Sequence, residues 1–132
     1  LRGSFEFQGQ KCSAASRAYV PTSVWNAIKD EYCADVAKIT VGDPRDFTNF
    51  MSAVIDKKSF DNITGYIDRA KADPGCEIVT GGGYDGSVGY FIEPTTIVCS
   101  DPKYESMSEE IFGPVLSVYV YPDEEFEAIL KT

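Results

Sequence analysis

The sequence contains no histidine and few basic residues. Without histidine, the chain alone cannot carry out Ser-His-Asp or Cys-His catalysis or ligate a metal through imidazole, so any nucleophile needs a different base. There are 12 Lys and Arg against 21 Asp and Glu in 132 residues, for a net charge of -9. Such a chain repels nucleic-acid phosphates and anionic lipid headgroups, so we expect neither a nucleic acid nor a membrane surface as its partner.

Long apolar runs and closely spaced cysteines are also missing. No run approaches the roughly 18 to 20 apolar residues that a membrane span needs, and no targeting presequence is visible. None of the cysteines forms the C-x2-C spacing of a structural zinc site, so we expect no metal; they are Cys12, Cys33, Cys76 and Cys99. Disulfides in a secreted chain are one interpretation, but Cys33 lies in a helical pattern, which favours reduced intracellular thiols.

What the sequence does contain indicates a folded domain. Hydrophobic residues make up 43% and aromatic residues 13% of the chain, enough to bury a core at a length that suits one domain. The first residue is Leu1 rather than Met, and the last residues lie inside an amphipathic pattern. We therefore expect the chain to be part of a longer protein.

Apolar periodicity predicts three helices. The first is predicted to be capped by Thr22 or Ser23 and to continue through a pattern that ends near residue 39. The second runs from about residue 59 to the Asp-Pro-Gly sequence at 73–75, and Asp123 is predicted to cap the last.

Strands are predicted at residues 16–20, 77–80, 90–98 and 115–121. Pro94 indicates an edge position or a bulge within the third, whereas the continuous apolar run of the fourth is typical of a strand covered on both faces. Strands that alternate with helices predict an α/β fold with at least part of the sheet parallel.

A glycine-rich segment, GGGYDG, has the G-x-G-x-x-G spacing of dinucleotide-binding loops at Gly81, Gly83 and Gly86. That motif holds a pyrophosphate because its last glycines open a helix, whereas here the following residues predict a second strand. A flexible hairpin is therefore the better interpretation.

Two further segments carry chemistry. The run FQGQKCSAASR at residues 7–17 resembles the catalytic-cysteine signature of the aldehyde dehydrogenase superfamily, and EEIFGPV at residues 109–115 resembles its second signature. Other segments, including VGDP, SAVIDKKSF and VGYFIEP, are most similar to the branch that oxidises L-glutamate γ-semialdehyde in proline catabolism. The resemblance implies that residues 1–132 form part of the catalytic, thiol-bearing domain and that the NAD-binding Rossmann-like domain is not present in this chain.

The resemblance also implies residue roles. Cys12 attacks the aldehyde, the thiohemiacetal gives a hydride to NAD, and water hydrolyses the resulting thioester; the Cys12 backbone N–H helps to hold the oxyanion. Ser13 binds the substrate, Glu110 binds the nicotinamide ribose hydroxyls, and Phe112 packs beside the nicotinamide. Lys11 adds a positive charge that favours a thiolate. Without family knowledge, Cys12 and Phe112 read as core residues and Glu110 as part of a solvated acidic turn.

The family's general-base glutamate and oxyanion-hole asparagine would lie outside this chain, so the chain alone is expected to be inactive. The resemblance implies a homo-oligomeric protein of the mitochondrial matrix with a small aldehyde substrate, and exposed apolar faces of the isolated chain are expected to promote self-association. Two alternatives stay open: a different aldehyde substrate, and a short non-catalytic binding module.

Overall fold

The computed structural model describes residues 1–132 and arranges them as a sheet between two layers of helix. The helices are α1 (Arg2–Phe5), α2 (Thr22–Val36), α3 (Lys57–Ala72), α4 (Glu105–Ser108) and α5 (Phe126–Ile129). The strands are β1 (Arg17–Pro21), β2 (Cys76–Thr80), β3 (Tyr84–Asp85), β4 (Phe91–Ile92), β5 (Thr95–Cys99) and β6 (Val115–Tyr121). The short helices α1 and α4 were not predicted from the sequence.

The main sheet has the strand order β1-β6-β5-β2. Strand β6 pairs in parallel with β1 and with β5, and only β2 is antiparallel to its neighbour. The predicted α/β fold with a mostly parallel sheet is confirmed. The continuous apolar run of β6 is explained by its central position, where both of its faces are covered.

Each face of the sheet packs against one long helix. On one face, α3 contributes Ile63, Ile67 and Ala70, none of which is exposed, to a core that includes Val115. On the other face, Leu116 belongs to a second core with residues of α2. Adjacent residues of β6 therefore serve opposite cores, as the two-residue period of a strand requires.

The two long helices begin differently. Helix α3 begins two residues before the predicted start, and the side chain of Asp56 accepts a hydrogen bond from the Ser59 backbone N–H at 2.7 Å. The predicted caps of α2 are wrong, because the helix begins at Thr22 without a side-chain cap; the Thr22 hydroxyl donates to the carbonyl oxygen of Tyr121 at 2.9 Å.

The carboxylate that serves the start of α2 comes from Asp123. It accepts from the backbone N–H of Ser23 at 3.0 Å and also contacts the Ser23 hydroxyl. The prediction that Asp123 caps the last helix is therefore wrong; that segment forms a short 3-10 turn at Asp123–Glu125 before α5, without a side-chain cap. The contact joins the end of β6 to the start of α2.

The glycine-rich segment forms a hairpin in which β3 pairs antiparallel with β4. No helix follows the glycines, so the segment lacks the context of a dinucleotide-binding loop. The predicted third strand is divided at Pro94 into β4 and β5. Because Pro94 precedes an interior strand of the sheet, its predicted edge position is wrong, and the irregularity in pairing instead lies in β2, between Ile78 and Thr80.

None of the helices is both long enough and apolar enough to cross a lipid bilayer.

Candidate active site

Two loops that are distant in the sequence meet at the amino ends of two neighbouring strands. The loop that contains Cys12 leads into β1, and the loop that contains Glu110 leads into β6. Because β1 and β6 are parallel neighbours, their amino ends lie side by side, and so do the loops that precede them. The backbone N–H of Ser117 extends this pairing by donating to the carbonyl oxygen of Ser16 at 3.0 Å.

Two glycines allow these loops to touch. A Cβ atom at Gly9 would lie 2.2 Å from the carbonyl oxygen of Gly113, and a Cβ atom at Gly113 would lie 2.4 Å from Cδ1 of Ile63 in α3. Neither position has room for a side chain. The cysteine loop therefore rests directly on the backbone of the second loop, which rests on α3.

The cysteine loop has an unusual backbone. Phe7, Gln8 and Gly9 have φ angles of 53°, 60° and 66°, in the left-handed region. For a residue with a Cβ atom this conformation costs roughly 1–2 kcal/mol, so surrounding contacts must hold Phe7 and Gln8 in place.

Two glutamine side chains supply such contacts by binding residues 52–55. The Gln8 amide donates to the carbonyl oxygen of Ala53 at 3.1 Å and accepts from the Ser52 backbone N–H at 3.1 Å. The Gln10 side-chain oxygen accepts from the backbone N–H of Ile55 at 2.9 Å. The sequence analysis did not identify these tethers; their signal is the pair of amides on either side of Gly9.

A small pocket of about 50 Å³ lies between the two loops, and Cys12, Glu110 and Phe112 all line it. The Cys12 thiol is exposed, and Phe112 is 43% exposed at a φ of 60°. Neither residue belongs to the core, so the interpretation of both as core packing is wrong. Ser13 is exposed on the same loop but does not line the pocket.

Lys11 also borders the pocket, but its ammonium group is already paired. It donates to a carboxylate oxygen of Glu6 at 3.0 Å and lies 5.5 Å from the centroid of the Phe7 ring. The hydrogen bond from Lys11 lowers the pKa of Glu6. The positive charge expected beside the thiol is thus partly neutralised by a carboxylate of the same loop.

The adjacent carboxylates of the second loop have different surroundings. The Glu109 carboxylate accepts a hydrogen bond from the Tyr66 hydroxyl, which raises the pKa of Tyr66. Arg69 lies 4.5 Å from the Tyr66 ring centroid and donates to Glu105 at 2.6 Å, so α3 also holds α4, the short helix that precedes the loop. Glu110, in contrast, is exposed beside the pocket. The structure thus distinguishes a tethered carboxylate from one that faces the pocket.

The other cysteines lie elsewhere. Cys33 and Cys76 are half-buried, and Cys99 is buried. Desolvation by burial raises the pKa of the Cys99 thiol to about 12. No cluster of three or more histidine, cysteine, aspartate or glutamate side chains has the arrangement of a metal site.

Comparison with known proteins identifies the family. The model of the aldehyde dehydrogenase family matches residues 1–131. The chain is 59% identical to delta-1-pyrroline-5-carboxylate dehydrogenase, mitochondrial, of Dictyostelium discoideum and 52% identical to the human protein of that name, with 99% of the chain aligned to each. It spans about a quarter of these relatives, 24% and 23% of their lengths.

A solved structure agrees with this result. The delta-pyrroline-5-carboxylate dehydrogenase of Mycobacterium tuberculosis bound with NAD superposes with a TM-score of 0.88 at 45% identity, over 98% of this chain and 23% of that one. The predicted resemblance is confirmed in both sequence and fold. The chain belongs to the aldehyde dehydrogenase family.

Proposed function

We propose that Cys12 is the nucleophile of an NAD-dependent dehydrogenase that oxidises L-glutamate γ-semialdehyde to L-glutamate in proline catabolism. The observation that carries the proposal is the pocket itself: an exposed thiol, a carboxylate and an aromatic ring line it together, although they come from loops far apart in the sequence. The names of the similar proteins support the choice of substrate.

The cysteine loop suits attack on a carbonyl. The Cys12 thiolate adds to the aldehyde carbon to form a thiohemiacetal, and loss of a hydride from that carbon leaves a thioester that water hydrolyses. The backbone N–H of Cys12 donates to no backbone carbonyl of the chain, so it is free to bind the developing oxyanion. The proposal assigns Ser13, the next residue on the exposed turn, to binding a polar group of the substrate.

The second loop fits the nicotinamide end of NAD. Glu110 offers an exposed carboxylate, which can accept hydrogen bonds from two ribose hydroxyls, and Phe112 offers an exposed ring. When bound, NAD supplies the acceptor for the hydride. The tether between Tyr66 and Glu109 holds the backbone from which both side chains project.

We further propose that residues 1–132 form part of the catalytic domain and that the NAD-binding Rossmann-like domain, the general base and the oxyanion-hole amide lie outside them. The chain alone is then inactive, because catalysis needs these groups held together. The names of the mitochondrial relatives support a location in mitochondria. The matrix as the compartment and a homo-oligomeric state are part of the proposal and rest on the family resemblance alone. Exposed apolar side chains support self-association of the isolated chain: Phe47 is 96%, Val88 93% and Ile55 81% exposed.

Replacement of the nucleophile in the full-length protein tests this proposal. Cys12→Ser is expected to lower kcat/KM by about 1,000-fold or more, because a serine hydroxyl is much less acidic than a thiol and is a far weaker nucleophile than a thiolate. Cys33→Ser, which changes a half-buried thiol of α2, serves as the matched control and is expected to retain activity. Retention of dehydrogenase activity by Cys12→Ser would refute the role of Cys12.

A substrate panel tests which aldehyde is oxidised. L-glutamate γ-semialdehyde is expected to have at least about a tenfold higher kcat/KM than aliphatic aldehydes of similar length. A site that binds the carboxylate of the semialdehyde loses that interaction with an aldehyde that lacks a carboxylate. Equal values would keep the family and the role of Cys12 but reject the proposed substrate.

A further inference from the structure

Cys76 and Cys99 lie directly opposite each other on β2 and β5. Neither residue lines the candidate active site, and both thiols are free. The pair is remote in sequence from the catalytic loop and belongs to the antiparallel edge of the main sheet. Its chemistry is therefore independent of the proposed dehydrogenase reaction.

The hydrogen bonds between β2 and β5 show whether Cys76 and Cys99 form a hydrogen-bonded or a non-hydrogen-bonded pair. The backbone N–H of Ser100 donates to the carbonyl oxygen of Gly75 at 2.9 Å, so Gly75 and Ser100 form a hydrogen-bonded pair. Such pairs alternate along an antiparallel ladder, which makes Cys76 and Cys99 a non-hydrogen-bonded pair with Cα atoms about 4.5 Å apart. Disulfides span Cα separations of about 4.4 to 6.8 Å, so the backbone needs no rearrangement to accommodate one.

The two side chains also lie on the same face of the sheet. Cys99 belongs to the core beneath α3, and Cys76 packs against that core. Cys76 is half-buried on an edge strand, whereas Cys99 is 2% exposed, and its sulfur lies 3.7 Å from the Ser106 hydroxyl oxygen. In this chain Cys76 is therefore more accessible to a small reagent than Cys99.

We propose that Cys76 and Cys99 are a disulfide-forming site that reacts with a low-molecular-weight disulfide such as oxidised glutathione. The Cys76 thiolate attacks one sulfur of the reagent and releases one thiol molecule. The Cys99 thiol then loses its proton and attacks the Cys76 sulfur, releasing the second thiol molecule. Two protein thiols are oxidised and one disulfide is reduced to two thiols. The new bond covalently joins the edge strand β2 to β5.

The experiment is disulfide mapping of the full-length protein after native incubation with oxidised glutathione. Burial raises the pKa of both thiols, so the incubation is run at about pH 8.5 and stopped with acid. Trypsin leaves both cysteines in one peptide, residues 72–103, because no Lys or Arg lies between Lys71 and Lys103. That peptide is expected to lose two hydrogens and to resist alkylation.

A second digestion shows that the bond joins the two strands. Glutamyl endopeptidase cuts after Glu77, which lies between the two cysteines, so the peptides with Cys76 and Cys99 separate unless a disulfide joins them. The joined peptides are expected in the wild-type protein. Their absence, while other cysteines of the same sample carry glutathione, would overturn the proposal.

Matched variants test the order of the steps. Cys33→Ser, a half-buried thiol on α2, is expected to retain the joined peptides. Cys76→Ser is expected to abolish them and to leave Cys99 free of glutathione, because Cys99 is buried. Modification of Cys99 in Cys76→Ser, or a bond between Cys99 and any cysteine other than Cys76, would contradict the proposal. The mapping of the wild-type protein needs no variant, so its result does not depend on how any variant folds.

Discussion

Gly9→Ala is expected to separate the two loops of the candidate site. The added Cβ atom would lie 2.2 Å from the carbonyl oxygen of Gly113 and 2.9 Å from that of Ser4, whereas real Cβ contacts are essentially never below 3.0 Å. Because both obstacles are backbone atoms, no side-chain rotation relieves the contact. One loop must therefore move by about 0.8 Å or more.

Two costs follow from this displacement. The φ angle of +66° at Gly9 adds roughly 1–2 kcal/mol for any residue with a Cβ atom, and the steric contact brings the expected loss of stability to about 2–4 kcal/mol. A shift of about 1 Å between reacting groups costs on the order of 100-fold in rate, so kcat/KM is expected to fall by about that factor.

The assay is NADH formation by the full-length protein, accompanied by the rate of Cys12 alkylation and by urea denaturation. Gly3→Ala is the matched control, because a Cβ atom at Gly3 in α1 meets nothing within 4 Å. This control is expected to keep kcat/KM within about twofold of wild type, since alanine suits a helix. If Gly9→Ala behaved like Gly3→Ala in all three measurements, the contact between the loops would not be what shapes the site.

Two further predictions concern contacts around the site and the sheet. Hydrogen bonds from the side chain and backbone of Ser23 lower the pKa of Asp123, so its stabilising contribution is present above about pH 4 and is lost as the pH falls through the folded pKa. The difference in urea midpoint between wild type and Asp123→Asn is therefore expected to shrink from pH 7 to about pH 3; a constant difference would contradict this. Tyr66→Phe removes the hydroxyl that binds Glu109 and is expected to raise the KM for NAD about fivefold by loosening Glu110, with little change in kcat; an unchanged KM would contradict it.

Local sequence patterns predicted the elements whose burial is set by their own periodicity. The run at residues 115–121 indicated a strand covered on both faces, and β6 is such a strand. The second helix was predicted from its apolar face, and Ile63 and Ile67 are indeed fully buried. In both cases the spacing of apolar residues shows which faces of the element are buried. That prediction does not require knowing which other element packs against those faces.

Features that depend on a distant partner were not predictable in this way. Thr22 and Ser23 have the chemistry of helix caps, but both lie inside the helix and bind Tyr121 and Asp123, about 100 residues away. Pro94 indicated an edge strand or a bulge, whereas the chain instead breaks at Pro94 and resumes as an interior strand. The cap error arose because residues that satisfy a local rule were used in a long-range contact, and the Pro94 error arose because the two strands on either side of it belong to different sheets.

In most open α/β sheets, ligands bind beyond the carboxyl ends of the strands. The candidate site of this chain lies at the opposite ends. Here both loops precede their strands, so the pocket lies at the amino ends of β1 and β6. The carboxyl end of β6 is instead tied to α2 through Tyr121 and Asp123. At the amino ends the contact between Gly9 and Gly113 holds the loops together. The site therefore depends on the absence of two side chains as much as on the presence of Cys12.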